Sequence, residues 1–271
     1  MAKHNWINAN QRSEQAEAWI KKMDRLYKND TKDSVADSYV YPSNTFEFST
    51  SARKELKNNI YNTEIIIDNI DSVGAIFKYN IKDNITCVLN FASYKNPGGG
   101  FIRGAMAQEE ALCHESNLYN ILTNFYDDFY IPNLKRLNRG LYNNNLIYSP
   151  DVLFIRDKSI ICCDVITCAA PNKKVAQEYQ KLPNNIINHA MKNRCDHILH
   201  AAYDSYVDTL ILGAFGCGVF KNNPYDVASI FKELLETKYK GVFKKVIFAI
   251  PKGSRDSNYK AFEEVFKGGN K

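Results

Sequence analysis

Two short apolar runs in this chain each end directly in a glycine-rich loop. Ile85–Phe91 (ITCVLNF) is followed by a loop that contains Gly98-Gly99-Gly100, and Thr209–Leu212 by Gly213-Ala214-Phe215-Gly216-Cys217-Gly218-Val219-Phe220. An apolar run of this length, bounded by turn residues, reads as a strand buried on both faces. Further strands are expected at Glu64–Ile67, 146–155, 160–168 and Lys245–Ile250. Helical spacing is expected at 13–28 with Ser13 as N-cap, from about Gln108 to Asp127, at 173–181, at 183–203, after Asn222 or Asn223 with Pro224 in the first turn, and at 256–266. Apolar strands alternating with helices predict a three-layer α/β/α fold with a mixed, mostly parallel sheet. In such sheets ligands sit at the carboxyl ends of the strands, and both glycine loops fall on that edge.

The first loop lacks the lysine and the spacing of a P-loop, and it has no G-x-G-x-x-G fingerprint. A run of glycines lets main chain approach a ligand where any Cβ would clash, and it exposes successive N–H groups to an anion or a sugar oxygen. The second loop lies only a few residues before a helix, so a diphosphate fits across its N–H groups and Phe220 can pack on a base or ribose. Glu109 and Glu110 follow the first loop at the expected helix start. Acids there favour the helix dipole by about 0.3–1 kcal/mol whatever else they do. Adjacent helical residues point about 100° apart, so one acid can bind a hydroxyl while the other faces a reacting bond.

Gly98-Gly99-Gly100, then seven residues, then Gln108-Glu109-Glu110, resembles the signature of microbial-type poly(ADP-ribose) glycohydrolases, a branch of the macrodomain superfamily. The blocks LNFASYKNPGGGF (Leu89–Phe101), QEEALCHESNLYNIL (Gln108–Leu122), YSPDVLFIRD (Tyr148–Asp157), DVITCAAPN (Asp164–Asn172), LILGAFGCGVFKNNP (Leu210–Pro224) and VIFAIP (Val246–Pro251) are similar too, and they stand in the family's order. The resemblance implies a macrodomain core over 61–271, with residues 1–60 as an N-terminal helical extension packed on it. It implies hydrolysis of the ribose–ribose O-glycosidic bond of poly(ADP-ribose), without metal or cofactor. Glu110 would be the catalytic acid, and Glu109 would bind ribose hydroxyls. Gln108 would fix the catalytic loop, and Gly98, Gly99 and Gly100 would let it close on ribose and diphosphate. Gly216, Cys217, Gly218 and Val219 would bind the diphosphate, with Phe220 beside the nucleotide. Asn90 corresponds to an Asn that ends the equivalent strand. Asp68 and Asn69 are the candidates for the adenine edge.

Cleavage of an acetal passes through an oxocarbenium-like state, in which the leaving oxygen needs a proton and water needs a base. One glutamate can serve in both capacities in turn, provided that its pKa is raised. Burial and the like charge of Glu109 are expected to raise that of Glu110. Two readings from other classes remain open: an ADP-ribose-binding module without turnover, and a hydrolase of ADP-ribose linked to a protein side chain or a nucleobase.

The net charge of +5 contains no run of more than two adjacent Lys or Arg, so no dedicated nucleic-acid site is expected; the mild excess suits a polyanion such as poly(ADP-ribose), free or attached to protein. Seven cysteines without paired C-x-x-C spacing, His114, His189, His197 and His200 without ligand spacing, and an N-terminus without an apolar core lead to the expectation of a cytoplasmic protein with no metal site, disulfide or membrane segment. Phe125–Asn145, aromatic and basic, is expected to be a surface loop.

Overall fold

A computed structural model describes residues 8–41, 61–253 and 257–268. Helix α1 (Ala9–Leu26) starts at Asn8, not at Ser13. The Asn8 side chain accepts from Gln11 N–H, and the Gln11 side chain accepts from Asn8 N–H, which makes a reciprocal cap one turn earlier than Ser13 could supply. Helix α2 (Lys28–Asp37) and strand β1 (Tyr39–Tyr41) follow within the stretch 1–60 expected as an extension. Residues 1–7 and 42–60 of that stretch lie outside the described residues.

Strand β2 (Glu64–Asp68) leads into helix α3 (Ser72–Tyr79), which the helical spacing does not reveal. Asp71 caps α3 through Gly74 N–H, and Ser72, Val73, Gly74, Ala75 and Ile76 are buried in succession. A helix that is buried almost all round has no polar face to set a period. Strand β3 (Thr86–Phe91) carries the first glycine loop and then helix α4 (Gln108–His114).

The helix expected from Gln108 to Asp127 is broken. After α4 come a short helix α5 (Leu118–Leu122), a 3-10 turn, a π turn at Tyr126–Tyr130, and helix α6 (Ile131–Lys135). The break is at Ser116-Asn117. Asn117 Oδ1 accepts from Leu153 N–H and its Nδ2 donates to Thr31 Oγ1, and Ser116 bridges Phe154. Side chain and main chain are thus committed to the sheet and to α2 rather than to the next helical turn. The expected surface loop at Phe125–Asn145 is likewise corrected: Phe125, Phe129, Tyr130 and Asn133 are buried in it, and its exposed runs are 126–128 and 134–139.

Strands β4 (Leu146–Arg156) and β5 (Ser159–Cys168) form an antiparallel hairpin with a bulge between Ser149 and Val152. Helices α7 (Lys173–Glu178) and α8 (Asn184–Asp204), strand β6 (Thr209–Leu212), helix α9 (Pro224–Glu236, capped by Asn223), strand β7 (Lys245–Ala249) and helix α10 (Ser257–Lys267) complete the chain.

The sheet runs β1-β4-β5-β3-β6-β7-β2, antiparallel at β1-β4 and β4-β5 and parallel elsewhere. Alternation along the strands divides the core in two. Val88, Val165, Ile211 and Ile247 face α1, α3, α4 and α5, while Leu89, Ile166, Leu210 and Phe248 face α8, α9 and α10. This is the three-layer architecture expected from the sequence. β3 and β6 are adjacent and parallel, with Thr86 opposite Thr209, so their two glycine loops leave the same edge side by side.

Candidate active site

Gly98 and Gly99 both have φ of 62°, a conformation that side chains with a Cβ rarely adopt. The loop this allows curls back on α4. Glu110 Oε1 accepts from Gly100 N–H at 2.8 Å, and Oε2 accepts from Ala107 N–H at 2.9 Å. Glu109 Oε2 accepts from Ser93 N–H at 2.7 Å, and its Oε1 lies 3.4 Å from Asn90 Nδ2. Both carboxyls are buried, at 3% and 6% exposure. A Cβ on Gly99 would stand 2.8 Å or less from an oxygen of each, so glycine is the residue that lets the loop and both acids share this space.

Gln108 fastens this element to the sheet. Its Oε1 accepts from Phe91 N–H at 2.8 Å, and its Nε2 donates to Leu89 O and to Ser72 Oγ. The amide thereby completes the ladder at the end of β3 and ties it to the start of α3. Asn90, between those two main-chain groups, is fully buried and donates Nδ2 to Thr167 Oγ1 of β5 at 3.2 Å. Its Oδ1 has no partner among the described residues. An orphaned buried acceptor costs about 1–3 kcal/mol unless something donates to it, and a sugar hydroxyl would do so.

Burial pushes the Glu109 carboxyl up to about 8, opposed by the hydrogen bond from Ser93 and assisted by the charge of Glu110. At neutral pH Glu109 therefore carries a proton.

The second loop stands across from the first. Gly216 has φ of 71°, and a Cβ there would lie 2.6 Å from Asn222 Nδ2. That amide donates to Pro171 O and Gly216 O and so closes the loop on itself. Gly218 has nothing within 4 Å of a Cβ, and Val219 is 79% exposed. Burial raises the Cys217 thiol to about 12, which makes it a space-filling group rather than a nucleophile at neutral pH. The two loops meet through aromatic rings. Phe91 packs edge-on to Phe215 at 5.6 Å, and Tyr142 stacks on Tyr94 at 4.1 Å and leans on Phe220 at 6.1 Å.

The structure brings Asn90, Gly98–Gly100, Gln108, Glu109 and Glu110 into one cluster, with Gly216, Cys217, Gly218, Val219 and Phe220 in the facing loop. Asp68 ends the outer strand β2 and Asn69 follows it, with β6 and β7 between β2 and β3. The Asp68 carboxylate is taken by Lys78 Nζ and Tyr79 OH, and Asn69 Oδ1 by Lys252 N–H. Among the described residues no group of His, Cys, Asp and Glu could hold a metal ion, and no helix is long and apolar enough to cross a membrane.

Three supporting residues escaped the motif reading. Ser93 reaches Glu109 through its main-chain N–H and Thr167 reaches Asn90 through one hydroxyl, so neither leaves a spacing signal for the site. Arg194 does leave one: it sits in the buried stripe Ile187, Met191, Arg194, Cys195, Ile198 of α8, where a cation is out of place. Its guanidinium donates to Asn144 Oδ1, Leu141 O and Ala169 O, and so pins the Tyr142 segment to the end of β5. Burial lowers its pKa.

Residues 13–157 match the family model "Microbial-type PARG, catalytic domain", where PARG stands for poly(ADP-ribose) glycohydrolase. The chain belongs to this family. No curated protein matches it. Among solved structures, the PARG of Deinococcus radiodurans in complex with ADP-ribose is 32% identical, with 88% of this chain and 98% of that one covered and a TM-score of 0.79. The PARG of Thermomonospora curvata bound to the inhibitor ADP-HPD is 27% identical, with 94% and 99% covered and a TM-score of 0.78. The chain thus carries a PARG catalytic domain, a glycosidase, and the mixed sheet and the N-terminal helix match those structures.

Proposed function

We propose that this PARG-family chain hydrolyses the ribose–ribose O-glycosidic bond of poly(ADP-ribose) and releases ADP-ribose, with Glu110 as general acid and then general base. The observation that carries this reading is that Gly99 leaves just enough room for both carboxyls to lie against the glycine loop, with Glu110 held at both oxygens by Gly100 and Ala107 N–H. Such a hold fixes the carboxyl's plane while each oxygen keeps a further lone pair for substrate.

The ribose hydroxyls bind to Glu109 and to the orphaned Asn90 Oδ1. The diphosphate lies on the N–H groups of the 216–219 loop, and Phe220 packs on the sugar. Glu110 gives its proton to the leaving ribose oxygen as the C–O bond breaks. The resulting carboxylate takes a proton from water, whose oxygen adds to the oxocarbenium carbon. Burial raises the Glu109 carboxyl to about 8, so the acid beside Glu110 is neutral at neutral pH and adds no charge of its own next to the diphosphate. The substrate's own negative charge would also lie near the developing cation.

ADP-ribosylated proteins are substrates through the polymers they carry. Seven cysteines, none in a disulfide, suit a reducing cytoplasmic setting.

Release of ADP-ribose from poly(ADP-ribose), compared between wild type and Glu110→Ala with ADP-ribose binding measured on both, tests the proposal. Turnover by the wild type alone, with binding by both, is the expected result. Binding without turnover by either would leave an ADP-ribose-binding module or a hydrolase of another linkage.

A further inference from the structure

Beside the second loop, three segments distant in sequence are joined by main-chain hydrogen bonds. Asn172 N–H donates to Gly140 O at 2.8 Å, and Lys174 N–H donates to Phe220 O at 3.1 Å. The Val175 side chain abuts Gly140. These segments bring together Arg136, Arg139, Lys173, Lys174 and Lys221. Four of them are exposed and Lys173 is half-buried. None of the five forms an ion pair among the described residues.

Some surface lysines elsewhere are matched, such as Lys192 with Glu233 at 2.6 Å, Lys238 with Asp196 at 2.7 Å, and Lys244 with Asp208 at 2.9 Å. The acids nearest in sequence to the cluster are Glu178, at the far end of α7, and Asp226, whose Oδ2 accepts from Asn188 Nδ2. An unneutralised cluster of cations costs self-repulsion and is compensated when a polyanion lies on it.

The cluster adjoins the acids. Ser93, which donates to Glu109, precedes Tyr94; Tyr94 stacks on Tyr142, and Tyr142 leans on Phe220, the neighbour of Lys221. The cations thus begin where the second loop ends, at Phe220 and Lys221. We propose that this basic rim binds the diphosphates of the poly(ADP-ribose) units beyond the one being cleaved, so that the enzyme grips a long polymer more tightly than its terminal ADP-ribose. The inference rests on the function proposed above and extends it from the site to the rest of the substrate. Poly(ADP-ribose) is preferred to nucleic acid as the occupant because the rim is continuous with the catalytic acids through Tyr94 and Tyr142, and its five cations form no stripe of the length that a duplex requires.

The test compares wild type with the triple variant Arg136→Glu/Arg139→Glu/Lys174→Glu, and with Arg136→Lys/Arg139→Lys as the charge-conserving control. Equilibrium binding of ADP-ribose and of size-fractionated long poly(ADP-ribose) is measured over a range of salt, and thermal melting confirms the fold. The charge reversal is expected to weaken long-polymer binding by about tenfold or more and to reduce the slope of log affinity against log salt by about two. ADP-ribose binding stays within about twofold, and the Lys control behaves as wild type. Equal losses for monomer and polymer, or no loss for either, would overturn the inference. So would displacement of the polymer by single-stranded DNA of equal charge as readily as by unlabelled polymer, which would make the rim a general polyanion surface. An enzyme that binds ADP-ribose but releases none from polymer would refute the proposed function, while this comparison of affinities would still decide the role of the rim.

Discussion

Gly99 lies directly behind Glu110: a Cβ added at Gly99 would stand 2.6 Å from Glu110 Oε1, closer than real Cβ contacts come. The same atom would meet Glu109 Oε2 at 2.8 Å, and the backbone at Gly99 has φ of 62°. Gly99→Ala therefore has to move the loop, or Glu110, or both. A left-handed conformation costs a non-glycine residue about 1–2 kcal/mol, which the fold can absorb. The displaced carboxyl cannot reach the same oxygen. The variant is expected to fold, with its melting temperature lowered by several degrees, and to lose about a hundredfold or more in turnover. Turnover within a few-fold of wild type would show that Glu110 does not need the position seen here.

The pH dependence of stability reports on Glu109. Its carboxyl is raised from 4.5 to about 8 by burial. Below 4.5 it is protonated in both the folded and the unfolded chain and contributes no pH slope. Between 4.5 and about 8 the unfolded chain loses the proton while the folded chain keeps it, so stability falls as pH rises, by up to about 1.4 kcal/mol per pH unit. Above about 8 both forms are ionised and the loss is complete. Glu109→Gln has nothing to titrate, and Asn90 can rotate its amide to offer Oδ1 to the new NH2. Melting curves from pH 4 to 9 should therefore show a gap in favour of Glu109→Gln that opens across this window. Parallel curves for the two proteins would mean that Glu109 is not held protonated by the fold.

What could be read from the sequence divides along physical lines. The strands, the two loops and the acids were legible because each is a local statement: an apolar run of strand length, a glycine where no Cβ fits, a carboxyl at a helix start. Ser116-Asn117 was not, because the break in the helix comes from partners at Thr31, Leu153 and Phe154, far away in sequence. α3 was hidden by being buried almost all round. Asn8 was passed over for Ser13, although Asn8 and Gln11 stand at the spacing of a reciprocal cap. Burial raises the Glu109 carboxyl against the hydrogen bonds from Ser93 and Asn90, and that enclosure is a tertiary property.

The back of the glycine loop is held by α1. Arg12 Nε donates to Gly104 O and Ser13 Oγ to Ile102 O, both at 2.7 Å, and a Cβ on Gly104 would collide with the Ala9 carbonyl. These contacts fall on the 3-10 turn that connects Gly100 to α4, so α1 positions the element that holds Glu110 without touching substrate. A charge-assisted hydrogen bond of this kind contributes about 1.5–3 kcal/mol. Arg12→Ala should lower kcat by about tenfold and leave ADP-ribose affinity within about threefold, because the 216–220 loop is unaffected. Arg12→Lys should recover part of the loss. A variant that weakened ADP-ribose binding and turnover equally would point to general unfolding of the site and away from a positioning role.

Gly216 and Gly218 separate what a glycine does for the fold from what it does for a ligand. At Gly216 the fold itself demands glycine, since φ is 71° and a Cβ would lie 2.6 Å from Asn222 Nδ2 and 2.7 Å from Ala170 Cβ. Gly216→Ala should destabilise the protein by about 1–3 kcal/mol and disturb the closure of the loop by Asn222. At Gly218 the protein makes no such demand: nothing lies within 4 Å of a Cβ, and φ is not positive. Replacing glycine there restricts the unfolded chain and should leave the melting temperature unchanged or slightly raised. If the N–H groups of this loop receive a diphosphate at close range, a methyl group on Gly218 stands in the ligand's way. ADP-ribose affinity should then fall by about tenfold with stability intact. Calorimetric titration of ADP-ribose into Gly218→Ala, beside its melting curve, makes the distinction. Undiminished affinity would mean that the diphosphate does not approach the main chain at Gly218 and that the anion lies on the Gly216 side of the loop alone.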